Sequence, residues 1–156
     1  MAKKINYAEG DCFSVPLREG GFALGVVARM DAQGVVFGYF FGPKVDNVEL
    51  LYPTSIEIDS HILKGQFGDL GLLNGDWKVI GEIPGWSRDS WIMPPCLRWE
   101  AGETKGILCT YDENTLEAIA EEEVLVSDIA VNDYPVDRLM GYGSVEIKLT
   151  KLLAAK

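Results

Sequence analysis

Carboxylates are the most concentrated reactive groups in this 156-residue sequence. Between Glu100 and Asp137 there are eleven acidic residues, and Lys105 is the only basic residue among them. General acid–base catalysis by such groups requires burial that shifts a pKa, and a sequence does not reveal burial. The stretch also lacks the fixed ligand spacing of a calcium-binding loop. Clustered acids can form an electrostatic binding surface, because they steer a basic partner toward it; the alternative is a stretch that only solvates the protein.

Other groups that commonly carry catalysis are few and isolated. His61 is the single histidine, and we expect it to lie solvated on the polar face of a strand. The three cysteines, an odd number without CxxC spacing, indicate reduced thiols and no zinc site. Phosphate-binding glycine loops, dinucleotide fingerprints and GxSxG elbows are also missing from the sequence. The sequence therefore predicts a binding protein that is not an enzyme and uses no cofactor or metal.

The net charge limits the kinds of partner. The chain has 24 acidic and 14 basic residues, a formal charge of −10, and residues outside the acidic window balance at 13 of each sign. Nucleic acid and acidic membranes attract basic proteins, so neither is an expected partner. The beginning of the chain lacks the apolar core of a signal peptide, and apolar runs are far shorter than a membrane span. These features predict a cytoplasmic protein of unknown oligomeric state.

The elements that must position these groups are predicted mainly as antiparallel β-structure. Alternating apolar residues and turn signals predict strands over 11–17, 22–30, 35–41, 56–62, 77–81, 97–99 and 107–111. A loop with one helical turn is expected over 50–54, and a connection or short turn of helix over 65–74. The prolines between Pro84 and Pro95 predict a loop that carries two tryptophans, which either roof the core or recognise a partner.

Residues 116–125 fit either a strand or a capped helix. A strand is favoured because a four-residue turn precedes it, and its inward residues would be Leu116, Ala118, Ala120 and Val124. A final helix is predicted after Ser144 as N-cap, with an apolar stripe of Val145, Leu149, Leu152 and Leu153. The expected fold is a single domain over residues 1–156, mainly β (α+β), with a strongly curved antiparallel sheet or partly open barrel and a C-terminal helix.

Three segments resemble the immunity protein 26 family of bacterial polymorphic-toxin systems. Residues 10–17 and 21–27, GDCFSVPL and GFALGVV, look like the family's opening hairpin. The segment GDWKVIG at 75–81 is similar to its middle motif, and GYGSVEI at 141–147 to its closing segment. The resemblance implies a mainly β cytoplasmic protein that binds and neutralises a cognate toxin. It carries over no catalytic or toxin-contact residue.

The resemblance and the acidic window together predict a site. A toxin with a basic surface, such as a nuclease, would be occluded by the acidic stretch. The expected partner-binding residues are Glu117, Glu121, Glu122, Glu123, Asp128 and Asp133, with Trp86 and Trp91 as anchors. The alternative is a small-ligand-binding or regulatory β-barrel, in which the loop carrying both tryptophans gates an apolar cavity.

Overall fold

A computed structural model describes residues 5–51 and 56–154. The described residues form nine strands: β1 Asp11–Pro16, β2 Phe22–Met30, β3 Val35–Val45, β4 Leu63–Gly68, β5 Val79–Glu82, β6 Cys96–Arg98, β7 Lys105–Tyr111, β8 Ala118–Leu125 and β9 Leu139–Met140. The helices are the short α1 Leu70–Leu73 and the C-terminal α2 Tyr142–Ala154. Single 3₁₀ turns lie at Val48–Leu50, Ile58–Ser60, Arg88–Ser90, Val126–Asp128 and Val131–Asp133. None of the described helices is long and apolar enough to cross a membrane.

The strands form two sheets. The main sheet has six strands in the order β5-β1-β2-β3-β4-β9, antiparallel except for the β4–β9 pair. Register shifts interrupt the β1–β5 and β2–β3 pairs, and such bulges bend a sheet. The second sheet has three antiparallel strands in the order β6-β7-β8. Within the described residues neither sheet closes into a barrel, so the fold is the predicted curved sheet with a C-terminal helix.

One face of the main sheet packs against α2. Phe13 stacks on Trp77 with ring centroids 5.4 Å apart, and Val145 and Leu149 of the helix complete this fully buried cluster. A Cβ on Gly25 would lie 2.3 Å from the Phe13 ring, so the strand opposite that ring needs glycine. The buried aromatic layer fixes the helix against the sheet.

The opposite face of the main sheet packs against the loop that follows β5. Its cluster includes Val26, Phe37, Tyr39 and Trp91, all buried. The Tyr39 hydroxyl donates to the carbonyl of Ile92 at 2.5 Å and so ties the loop to the sheet centre. Both faces of the main sheet are therefore covered, whereas β8 of the second sheet is almost wholly exposed.

Most strands predicted from alternation are confirmed, but the strand predicted over 56–62 is wrong. Ser60 Oγ donates to Glu57 O at 2.7 Å and His61 N to Ile58 O at 3.1 Å, so local bonds close a 3₁₀ turn there. The strand runs instead from Leu63 to Gly68, so it takes up the first four residues of the segment 65–74, and α1 confirms the short helical turn expected in the rest of that segment. The helical turn predicted in 50–54 ends at Leu50, and residues 52–55 lie outside the described residues.

The C-terminal helix is confirmed, but its predicted start and stripe are partly wrong. It begins at Tyr142, so Ser144 lies inside the helix rather than at its N-cap. Val145, Leu149 and Leu153 are buried as predicted, whereas Leu152 is 40% exposed. The fourth buried residue of the helix is Glu146. Its carboxylate can be buried because Oε2 accepts the indole N–H of Trp77 at 2.8 Å and Oε1 accepts from Arg18 Nε at 3.1 Å.

Candidate protein-binding surface

The strand predicted over 116–125 is confirmed as β8, which forms an antiparallel hairpin with β7. It is an edge strand, and all of its residues are exposed except the half-buried Val124. The prediction that Ala118 and Ala120 point inward is therefore wrong, because β8 lies at the rim of the second sheet and not over the core. Leu116, just before the strand, is buried as predicted.

Four of the six predicted acidic contacts lie on this hairpin. Glu117 precedes β8, and Glu121, Glu122 and Glu123 form its centre. All four are exposed, and we call them the acidic strand residues. Alternation along the strand places Glu121 and Glu123 on one face and Glu122 on the other. The hairpin thus places four exposed carboxylates along one rim of the molecule, on both faces of the strand.

Asp128 and Asp133 lie apart from the strand, in two successive 3₁₀ turns. Both side chains are exposed, and among the described residues neither forms a hydrogen bond or ion pair with β8. Asp133 lies near Lys64 of β4, whose pKa is lowered by burial and partly restored by that carboxylate. The structure therefore groups four of the six predicted acids and places the other two on a neighbouring surface.

Two bases partly neutralise the acidic strand residues from the inner side. Arg98 Nη2 lies 3.4 Å from Glu121 Oε1, and Lys105 Nζ lies 3.4 Å from Glu123 Oε1. These exposed pairs contribute little to stability. Among the described residues Glu117 and Glu122 enter no ion pair, so they carry the uncompensated charge of the strand.

Arg98 is a residue that the sequence reasoning missed. Its guanidinium donates to Asp137 Oδ2 at 3.0 and 3.2 Å, and these bonds, with the one to Glu121, raise the pKa of Arg98. Tyr111 donates its hydroxyl to the same Asp137, and burial together with this bond raises the pKa of Tyr111. Asp137 is thus an internal link between β6 and β7. The contact depends on cross-strand pairing, which residue order does not display.

A second missed residue, Arg29, holds the closed end of the hairpin. Its buried guanidinium donates to Glu113 Oε1 at 2.7 and 3.0 Å and to the carbonyl of Trp91 at 3.0 Å. Arg88 adds bonds to Glu113 O at 2.8 Å and Asn114 Oδ1 at 3.0 Å. A lone arginine within the apolar segment FALGVVARM was the available signal, since a buried charge requires a partner.

Both predicted aromatic anchors take part in packing. Trp91 is only 6% exposed and contacts Tyr39 and Phe41 edge-on, with centroids 5.5 and 5.8 Å apart. Trp86 is half-buried, lies 6.0 Å from Trp91 and covers Gly10, where a Cβ would lie 2.7 Å from the indole. The loop therefore roofs the second face of the main sheet. The acidic strand residues are the more exposed part of the predicted site.

The three cysteine thiols are buried. Burial raises the pKa of the Cys12 and Cys96 thiols to about 12, so both are protonated at neutral pH. Burial likewise raises the pKa of Tyr39 to about 12. His61 is half-buried, with Nδ1 2.7 Å from Ile58 O and its ring edge-on to Tyr39, so it is less solvated than predicted. These groups serve packing.

A comparison with protein families decides the classification. The model of immunity protein 26 matches residues 8–106, well over half of the chain. The chain belongs to the immunity protein 26 family. The predicted family is thereby confirmed; the opening hairpin and the middle motif lie within the matched residues, and the closing segment at 141–147 lies outside them. No curated protein and no solved structure matches the chain significantly.

Family membership gives this immunity protein its general role, which is to bind a cognate toxin. The matched residues cover β1 to β6 and end at Gly106, at the start of β7. The six predicted acidic contacts all lie beyond that range, so the match assigns them no function. Their role rests on their own geometry and charge.

Proposed function

We propose that this immunity protein neutralises its toxin in the cytoplasm by direct, non-covalent occlusion, with the acidic strand residues meeting a basic surface of the toxin. The observation that carries the proposal is the exposure of β8, whose centre presents three consecutive glutamates. A toxin that cleaves nucleic acid has such a surface, because its groove must bind phosphates. Occupation of that groove by carboxylates excludes the substrate.

The charge and exposure of the acidic strand residues favour fast association with a basic toxin. Clustered charge of one sign raises the association rate with a complementary partner by 10–10³-fold in general. Two of the four carboxylates, Glu117 and Glu122, form no ion pair within the described residues. No existing ion pair of these two residues has to break when a basic partner binds. Exposed apolar side chains flank the glutamates, since Ile119 is 63% and Leu125 46% exposed. An interface centred on β8 thus has both charge for steering and apolar area for burial.

The role as inhibitor is tested by co-expression with a toxin domain, provided that one is found to be encoded beside the immunity gene. Under a titrated promoter, the wild-type protein is expected to restore growth at the lowest expression level. The double variant Glu117→Lys/Glu122→Lys is expected to need higher expression. The matched control Glu19→Lys/Asp46→Lys changes the net charge equally at exposed sites outside the acidic window and should protect like wild type. Failure of wild type to protect against this toxin would contradict the proposal.

A further inference from the structure

The second sheet has one closed edge and one open edge. On the closed side, Leu97 N donates to Pro135 O at 2.8 Å, and Asp137 N donates to Leu97 O at 2.9 Å. A parallel bridge between Leu97 and Val136 completes that contact. On the other side β8 is the last strand, and it pairs only with β7 among the described residues. The backbone of β8 is therefore available for a further strand.

The register shows which peptide groups face the open edge. Val126 N donates to Thr104 O at 3.0 Å, which continues the pairing of Lys105 with Leu125. Because hydrogen-bonded and non-hydrogen-bonded pairs alternate in an antiparallel ladder, Ala120, Glu122 and Val124 bond toward β7. The intervening residues Glu121, Glu123 and Leu125 direct their N–H and C=O groups away from β7.

The charges on β8 select among strands that could occupy this edge. Two copies of the chain that paired along β8 would set the glutamates opposite one another, and like charges in cross-strand pairs are destabilising. This arrangement protects the edge against self-association. A strand with Lys or Arg at alternate positions meets Glu121 and Glu123 on one face instead. Together with Lys105 and Arg98 on the inner side, it forms rows of alternating charge.

We propose that β8 binds its partner by strand addition: an extended basic segment of the toxin pairs antiparallel or parallel with the open edge between Glu121 and Leu125. The inference rests on the proposed function for the identity of the partner as the toxin. The main-chain bonds supply affinity, and basic side chains at alternate positions supply selectivity. Ile119 and Leu125 supply apolar contacts at the two ends of the segment.

The test uses a designed basic β-hairpin peptide of about 16 residues with lysine at alternate positions of one strand. Two variants are compared by titration. Glu123→Gln removes the charge and keeps the outward N–H, whereas Glu123→Pro removes both, and an outward-facing proline is compatible with an edge strand. We expect Glu123→Pro to bind the peptide at least about fivefold more weakly than Glu123→Gln, the equivalent of one net hydrogen bond. Equal binding by the two variants would overturn strand addition.

Amide hydrogen exchange on the wild-type protein provides a second measurement that needs no proline. In the free protein the amides of Glu121 and Glu123 should exchange quickly, and those of Ala120 and Glu122 slowly. Saturation with the basic hairpin should slow the first pair selectively. Unchanged exchange at Glu121 and Glu123 in the saturated complex would also overturn strand addition. Neither result depends on the growth assay, so failure of strand addition and failure of the inhibitor role are separately visible.

Discussion

The guanidinium of Arg29 lies 2.7 Å from the carboxylate of Glu113, although the arginine side chain is 3% exposed and the glutamate side chain 51%. A residue of the central strand β2 thereby holds the closed end of the exposed β7–β8 hairpin. The acidic strand therefore extends from an end that is fixed to the core. A binding strand with a fixed base loses less conformational entropy when its partner binds.

Loss of the Glu113 carboxylate should destabilise the fold. We expect Glu113→Ala to lower the free energy of unfolding by about 1–2 kcal/mol, because it leaves the buried Arg29 guanidinium with unsatisfied N–H donors. The loss stays in this range because water can reach the exposed side of the contact and replace part of the lost bonding. Urea denaturation measures this change. The control Glu117→Ala, four residues along the same hairpin, should stay within about 0.5 kcal/mol of wild type. Equal effects of the two substitutions would show that the contact is not stabilising.

The hairpin turn should weaken in acid. The Asp112 carboxylate accepts the backbone N–H groups of Asn114 and Thr115 at 2.8 Å each, and these bonds lower the pKa of Asp112. Since the folded pKa lies below the unfolded value of about 3.9, the stabilisation is fully present only above about pH 5, where the unfolded carboxyl is also ionised. It is lost as the pH falls through the folded pKa. The stability difference between wild type and Asp112→Ala should therefore shrink as the pH is lowered; a difference that grows instead contradicts this assignment.

The thiols should be unreactive in the native protein. Cys12, Cys96 and Cys109 are all free and buried, and burial raises the pKa of the first two to about 12. A colorimetric disulfide reagent at pH 8 should react slowly with the folded chain and modify three thiols in denaturant. Rapid native labelling of any cysteine would contradict the packing described for these strands.

The position of Gly25 should tolerate no side chain. A Cβ there would overlap the ring of Phe13, so Gly25→Ala should cost about 1–3 kcal/mol of unfolding free energy through overpacking. Gly68→Ala is the matched control, because a Cβ at Gly68 has no neighbour within 4 Å. Thermal melts of the two variants measure the difference. A destabilised Gly68 variant beside an unaffected Gly25 variant would contradict the packing.

Element type could be predicted from the sequence where the pattern of a single segment determines it. The alternation of larger and smaller residues from Phe22 to Met30 predicts β2 with the observed bounds, although the strand is buried on both faces rather than on one. The same reasoning fails at Ile58, where hydrogen bonds from Ser60 and His61 favour a 3₁₀ turn over the strand that alternation suggests. Pattern alone does not weigh such local bonds against a sheet.

The candidate site was predictable in composition but not in placement. Residue order identifies Glu121, Glu122 and Glu123 as a charged strand, and the turn before them indicates a hairpin. Whether that strand lies over the core or at the rim is decided by sheet order, which depends on contacts distant in sequence. The pairing of Arg98 with Glu121 and Asp137 has the same origin, since its partners lie 23 and 39 residues away.

The decisive measurement is the association rate of the purified immunity protein with the toxin domain used for co-expression, followed by stopped-flow at several salt concentrations. We expect Glu117→Lys/Glu122→Lys to lower the rate at low salt by about tenfold or more and to flatten its salt dependence. The control Glu19→Lys/Asp46→Lys should retain most of both. If the acidic-strand variant and the control associate at the same rate with the same salt dependence, the acidic strand is not the surface that meets the toxin.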